Sequence, residues 1–167
     1  MPELLLIEPQ TIMTDTILSG NVDIDKLLPI IKETQLKTVE ELLGSELYDK
    51  IKQLKEAGSL AGDYLILLNE YIKPILTNQT VANYILISPY TVGNGGFFKR
   101  TFNGVEATDY KEVERVSQIY SSTAQMYVNR FNKWIIANPL VEYKTYQEEV
   151  NAITNINLNN GWYFGDN

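Results

Sequence analysis

A single stripe of residues constrains this chain more than any other feature. Val113, Val116, Tyr120, Ala124, Tyr127, Phe131 and Trp134 recur at steps of three and four, with Glu114, Arg115, Gln118, Ser121, Ser122, Gln125, Asn129 and Lys133 between them. That is the period of an α-helix with one buried face, held for about seven turns. Such a helix gains most of its stability from packing, so the remaining sequence must supply the surface it packs on. Asp109 and Glu112 have the spacing of a capping box with Asp in the Ser/Thr position, and Asn138-Pro139 stops the helix.

Three further helices are predicted. Over 25–43, Leu28, Ile31, Val39 and Leu42 share one face with Gln35 in its middle, and Gly44 ends the run. Asn21, Asp23 and Asp25 are candidate N-caps for it, and Pro29 must sit near its first turn. Ser45 is the expected cap of a helix over 45–57, with Leu47, Ile51 and Leu54 inward, Lys50, Lys52 and Lys55 on the outer and C-terminal side, and Gly58 as the stop. A third helix over 64–87 follows the loop and cap at Gly62-Asp63. It carries Leu65, Leu68, Ile72, Ile75, Ala82 and Leu86, with Gln79 filling a gap in the stripe. Pro74 lies inside it and predicts a kink or break.

Before the first helix, residues 1–24 read as an irregular arm. Leu4–Ile7 could pair as a short strand before Glu8-Pro9 breaks it, and Ile12, Ile17 and Leu18 are apolar anchors. Between the third and the last helix, residues 88–108 hold Gly93, Gly95, Gly96 and Gly104 with Phe97, Phe98 and Phe102 among them, which predicts a protruding β-hairpin arm. After residue 140 an extended tail carries Tyr143 and Tyr146, an Asn-rich stretch, and Trp162-Tyr163-Phe164. The expectation is one mainly α domain over 1–167: a bundle of about four helices, with the arm at 88–108 and the tail at 140–167.

Composition narrows the chemistry. The chain of 167 residues has neither cysteine nor histidine, which removes thiol nucleophiles, Ser-His-Asp catalysis and Cys- or His-based metal sites. Its formal net charge of -7 disfavours broad affinity for nucleic acid. No signal segment or membrane span is read, and the expectation is a soluble protein made in a cytoplasm. The candidate carboxylate pairs, Glu40/Glu41, Glu112/Glu114 and Glu148/Glu149, are sequence neighbours that do not face one another on a helix, so solvated helix faces are expected there. The glycines at 93, 95 and 96 lack the Gly-Lys-Ser/Thr and the following helix of a phosphate loop. No catalytic, cofactor or metal site is expected.

What remains are contact residues. Phe97, Phe98, Lys99, Arg100 and Phe102 mix aromatic and basic side chains, the composition of an interface anchor; the alternatives are local packing and, less well in an acidic chain, a single-strand binding surface. Trp162, Tyr163 and Phe164 either fold back on the domain or dock on a neighbour. Gln35 and Gln79 are expected to be satisfied core amides.

The run Leu28-Pro29-Ile30-Ile31-Lys32, Thr34-Gln35 and Leu42-Leu43-Gly44-Ser45-Glu46-Leu47-Tyr48 resembles the opening helices of head–tail connector (adaptor) proteins of tailed bacteriophages. Tyr71–Leu76 with Pro74 looks like their third helix, and Phe102-Asn103-Gly104-Val105 before the long helix is similar to their plan. The aromatic tail resembles that of ring proteins of crAss-like phages. The likeness spans about residues 12–145 and lies in residue types and spacings, without a signature motif. It implies a structural virion protein with no enzymatic activity. Such proteins form a ring, commonly of about twelve copies, beneath the portal protein, join head to tail with other connector or tail proteins, and let genomic DNA pass without specific binding. The alternative is a non-viral helical protein–protein interaction module.

Overall fold

The computed structural model describes residues 4–18, 22–93, 96–99 and 109–143. The architecture is mainly α. Helix α1 is Pro9–Asp15. Helix α2, Ile24–Thr34, runs through a π-helical stretch π1, Gln35–Glu40, into the single turn α3, Glu41–Leu43. Helix α4 is Ser45–Glu56. A second continuous helical rod is built from α5, Gly62–Ile66, a π-helical stretch π2, Leu67–Ile72, and α6, Lys73–Ile87. Strands β1, Tyr90–Gly93, and β2, Gly96–Lys99, pair antiparallel with Tyr90 opposite Lys99 and Gly93 opposite Gly96. Helix α7 is Tyr110–Ala137. Helix α6 sits centrally, with α7 along one flank and α2 along another.

The two π stretches explain how the stripes work. Leu27, Ile31, Gln35, Val39 and Leu43 are all fully buried at uniform steps of four. In a regular α-helix such steps drift by about 40° each, so the stripe would rotate out of the core. A turn wider than 3.6 residues takes the drift back, and π1 lies at the middle of the run. The same holds for Leu68, Ile72, Leu76 and Thr80 across π2. The centres of the expected stripes, Ile31, Gln35, Val39, Leu68, Ile72, Ile75 and Ala82, are buried as read; at the ends of the first, Leu27 and Leu43 are buried in place of Leu28 and Leu42, and Leu65 is exposed. Leu67, Leu76 and Val81 join the core in its place.

Pro74 neither breaks nor ends the rod, and π2 stands immediately before α6. There the Lys73 N–H bonds the Leu68 carbonyl, five residues back. The widened turn makes room for the proline ring, and the helix continues.

Two of the end signals act as read, and two act differently. Asp23 caps α2, its carboxylate accepting from the Asp25 N–H at 3.1 Å. Ser45 is the first residue of α4 and not its cap; Gly44, at φ 78°, makes the bend between α3 and α4. Gly58, at φ 63°, closes α4 in a Schellman arrangement: the Ser59 N–H bonds the Leu54 carbonyl and the Gly58 N–H bonds the Lys55 carbonyl. Asp109 precedes α7 without a side-chain capping bond.

The stripe of α7 packs as its period predicts. Ala124, Phe131 and Ile135 are fully buried, and Val113, Val116, Tyr120, Tyr127 and Trp134 are half-buried. Ser117 is also buried, its hydroxyl donating to the Ala82 carbonyl at 3.0 Å and tying α7 to α6. Phe131 meets Tyr71 edge-on at 6.4 Å, and Trp134 lies at 5.3 Å from the same ring.

The segment before α2 departs most from expectation. Leu4–Ile7 forms no strand, and Pro9 opens α1 at its first position instead of only ending an extended run. Ile12 and Leu18 are buried anchors, whereas Ile17 is 63% exposed. The expected tail also starts as part of the body: Leu140 is buried, and Tyr143 stands edge-on to Phe131 at 5.8 Å. Residues 100–108 and 144–167 lie outside the described residues, so the short β1–β2 ribbon does not carry the wider reading of 88–108 as a protruding arm.

Candidate interaction surfaces

Three polar constructions hold the surface elements in place, and each starts from one side chain on a helix. The first is Gln35, on the buried face of π1. Its Oε1 accepts from the Leu6 N–H at 2.7 Å, while its Nε2 donates to the Leu4 carbonyl at 3.0 Å and to the Tyr48 hydroxyl at 2.7 Å. The amide offers one acceptor and one donor to the same strip of chain, as a neighbouring strand would. This satisfies an extended segment that has no sheet to join.

Lys55 adds the second tie. It was expected on the outer side of α4, but its Nζ reaches back to the Leu5 carbonyl at 2.6 Å. Partial burial pulls its ammonium below the usual lysine range; Glu8 opposes that shift and Lys73 adds to it. The third tie joins Tyr64 to Glu142, the phenol donating to Oε2 at 2.8 Å. Burial first, then the bond to Glu142 and the charges of Glu142 and Asp63, push the Tyr64 phenol up to about 12. Gln79, expected as a core amide, is half-buried and donates to Asn83 Oδ1 at 3.0 Å.

The residues singled out as contacts are placed unequally. Phe97, Phe98 and Lys99 fall on consecutive positions of β2, opposite Val92, Thr91 and Tyr90 of β1. Arg100, Phe102, Trp162, Tyr163 and Phe164 lie outside the described residues, as do Tyr146 and the Glu148/Glu149 pair. Of the other carboxylate pairs, Glu41, Glu112 and Glu114 are exposed and Glu40 is half-buried. Among the described residues no group of acidic side chains is arranged to hold a metal ion, and no helix is long and apolar enough to cross a membrane.

The structure adds apolar surface that the sequence reading did not single out. Ile17 and Ile85 meet Val113 and Val116 of α7 in an open, mostly apolar groove of about 440 Å³, with Glu112 and Arg115 at its rim. Leu65 and Ile66 on α5, and Ile119 and Met126 along α7, are also exposed. Their helical phase could have flagged them: Ile119 and Met126 lie seven residues apart, off the buried stripe.

These features define a mainly helical bundle with apolar side chains left exposed on α5 and α7. The chain belongs to a family of unknown function, DUF6712, whose model matches residues 39–154. The match begins within π1 and runs through α7. No curated protein and no solved structure matches the chain.

Proposed function

We propose that this protein is a structural component of a tailed-phage virion. It forms a ring between portal and tail that extends the DNA channel and joins head to tail. It is not an enzyme and uses no cofactor. The observation that carries the reading is the order of elements. A helix pinned through Gln35 turns at Gly44 into a short helix bearing Leu47-Tyr48; a rod with internal Pro74 follows, then a short ribbon, then the 28-residue α7. That order matches the plan on which the sequence resemblance rests.

Mechanically, the helices act as rigid struts and the projecting segments act as ties. A contact repeated by rotation between unlike faces closes a ring. The β1–β2 ribbon, with Phe97, Phe98 and Lys99, reaches an adjacent subunit or ring, and Trp162, Tyr163 and Phe164 lock onto a neighbouring connector, portal or tail protein. An acidic surface facing the lumen repels DNA phosphates and lets the genome slide through.

The test is cryo-electron microscopy of purified virions, with this bundle fitted at the vertex that carries the tail. A ring of the domain between portal and tail is the expected result. Intact particles lacking the protein, while infected cells hold it in abundance, would overturn the role.

A further inference from the structure

The outer face of α7 is mostly positive: the exposed Glu112 lies three residues before Arg115 on the same face, and beyond it only cations follow. From Arg115 to the end of the helix at Ala137 there are three cations and no acidic residue, in a chain with 21 acidic residues and net charge -7. Arg115, Ile119, Met126, Arg130 and Lys133 follow one another at steps of four, seven, four and three, which places them on a single stripe. All five are exposed, Ile119 at 57% and Met126 at 47%. Among the described residues none of the three cations pairs with a carboxylate. Arg130 instead lies over the Tyr127 ring at 5.3 Å. The stripe thus has apolar residues at its centre and cations toward both ends.

The helix α5 and the start of π2 carry the converse pattern. Asp63, Ile66 and Glu70 share one face at steps of three and four, with both carboxylates exposed and Ile66 44% exposed; the half-buried Lys73 follows three residues on, bonded to Asn69 Oδ1 at 2.8 Å. Glu142, held by Tyr64, adds a further negative charge beside Asp63. The α7 stripe is turned away from Phe131, the residue that packs on Tyr71 of this rod, so one copy cannot bring its own two patches together.

We infer that the outer stripe of α7 on one copy docks on the Asp63–Glu70 patch of a second copy, head to tail. This deepens the ring reading by naming the two faces that repeat. Ile119 and Met126 meet Ile66 at the centre and opposite charges meet at the rim, the usual anatomy of a specific contact. Nucleic acid fits the stripe poorly, because three cations are few and its centre is apolar. A head-to-tail contact leaves both faces free at the ends of every dimer, so it propagates until it closes.

The test is sedimentation equilibrium of the full chain over a range of concentrations, at low and high salt. Two variants are compared: Arg130→Glu with Lys133→Glu, and Asp63→Lys with Glu70→Lys. All four sites are exposed, and circular dichroism checks that each variant folds. The wild type is expected to associate more weakly at high salt. Each variant alone is expected to lose at least about tenfold in association, and an equimolar mixture of the two to recover it, since each reversed face then meets its complement. A weakened α7 variant beside an unaffected Asp63/Glu70 variant would overturn the inference in favour of a different patch or a foreign acidic partner. Indifference of both variants, or a wild type monomeric throughout, would also overturn it. The ring reading is judged separately on virions: a ring built through other faces sinks this contact alone, whereas absence of the protein from particles sinks the ring.

Discussion

The Gln35 amide stands in for a strand beside Leu6: its Oε1 takes the Leu6 N–H at 2.7 Å, and its Nε2 meets the Leu4 carbonyl two residues earlier. Replacing Gln35 with Leu keeps the volume but leaves the Leu6 N–H, the Leu4 carbonyl and one side of the Tyr48 hydroxyl without this partner. Buried groups left in that way cost about 1–3 kcal/mol each, less what water recovers. Gln35→Leu is therefore expected to lower stability by about 2–4 kcal/mol in urea titrations. Hydrogen exchange at Leu6 is expected to accelerate more than exchange at Ile31. An unchanged midpoint would mean that the amide is dispensable.

Pro74 gives a prediction of the opposite kind. A proline in the middle of a straight helix costs about 3 kcal/mol relative to alanine. Here π2 already provides the widened turn just before the proline. Pro74→Ala is expected to change stability by less than about 1 kcal/mol by chemical denaturation. A gain near the full helix-interior value would show that the proline strains the rod.

Tyr64 predicts a pH effect whose sign follows from its shift. Its phenol stays protonated to about 12 in the folded state, against about 10 when unfolded. Between those values the folded chain holds a proton that the unfolded chain has released, so this group's contribution is complete below about pH 10 and is lost as the pH rises through about 12. Tyr64→Phe is expected to flatten that part of the alkaline stability curve and to remove one late step from the tyrosinate absorbance titration. A late step that persists in the variant would assign it to another tyrosine.

The C-terminal aromatics give a prediction that depends on the ring reading. Removing residues 161–167 deletes Trp162, Tyr163 and Phe164 but none of the described core. The truncated chain is expected to keep its helical circular dichroism and to incorporate less well into particles. An unfolded truncation would make these aromatics part of the core instead.

Much of the helical body was legible because helical periodicity is local. The α7 stripe, the stops at Gly44 and Gly58, and the cap at Asp23 depend on residues within a turn or two of one another. The candidate contacts were less legible. Phe97, Phe98 and Lys99 stood out by composition and fall on β2. Ile119 and Met126 were readable from their phase off the buried stripe but were passed over, and Leu65 was expected in the core, which only packing could correct. Lys55 was misplaced for a related reason: its carbonyl partner at Leu5 is 50 residues away in sequence.

The sequence by itself determined that the chain is mainly helical, where its long helices stop, and that thiol and imidazole chemistry are absent. Each of these follows from residue identity or from spacing within a few turns. Tertiary structure decided which side of each stripe is buried, that Pro74 is absorbed by a wide turn, that residues 4–7 pair with a side chain instead of a strand, and that Glu142 meets Tyr64. Those outcomes depend on what lies opposite each residue. The order of residues along one helix carries no record of the helix that packs against it.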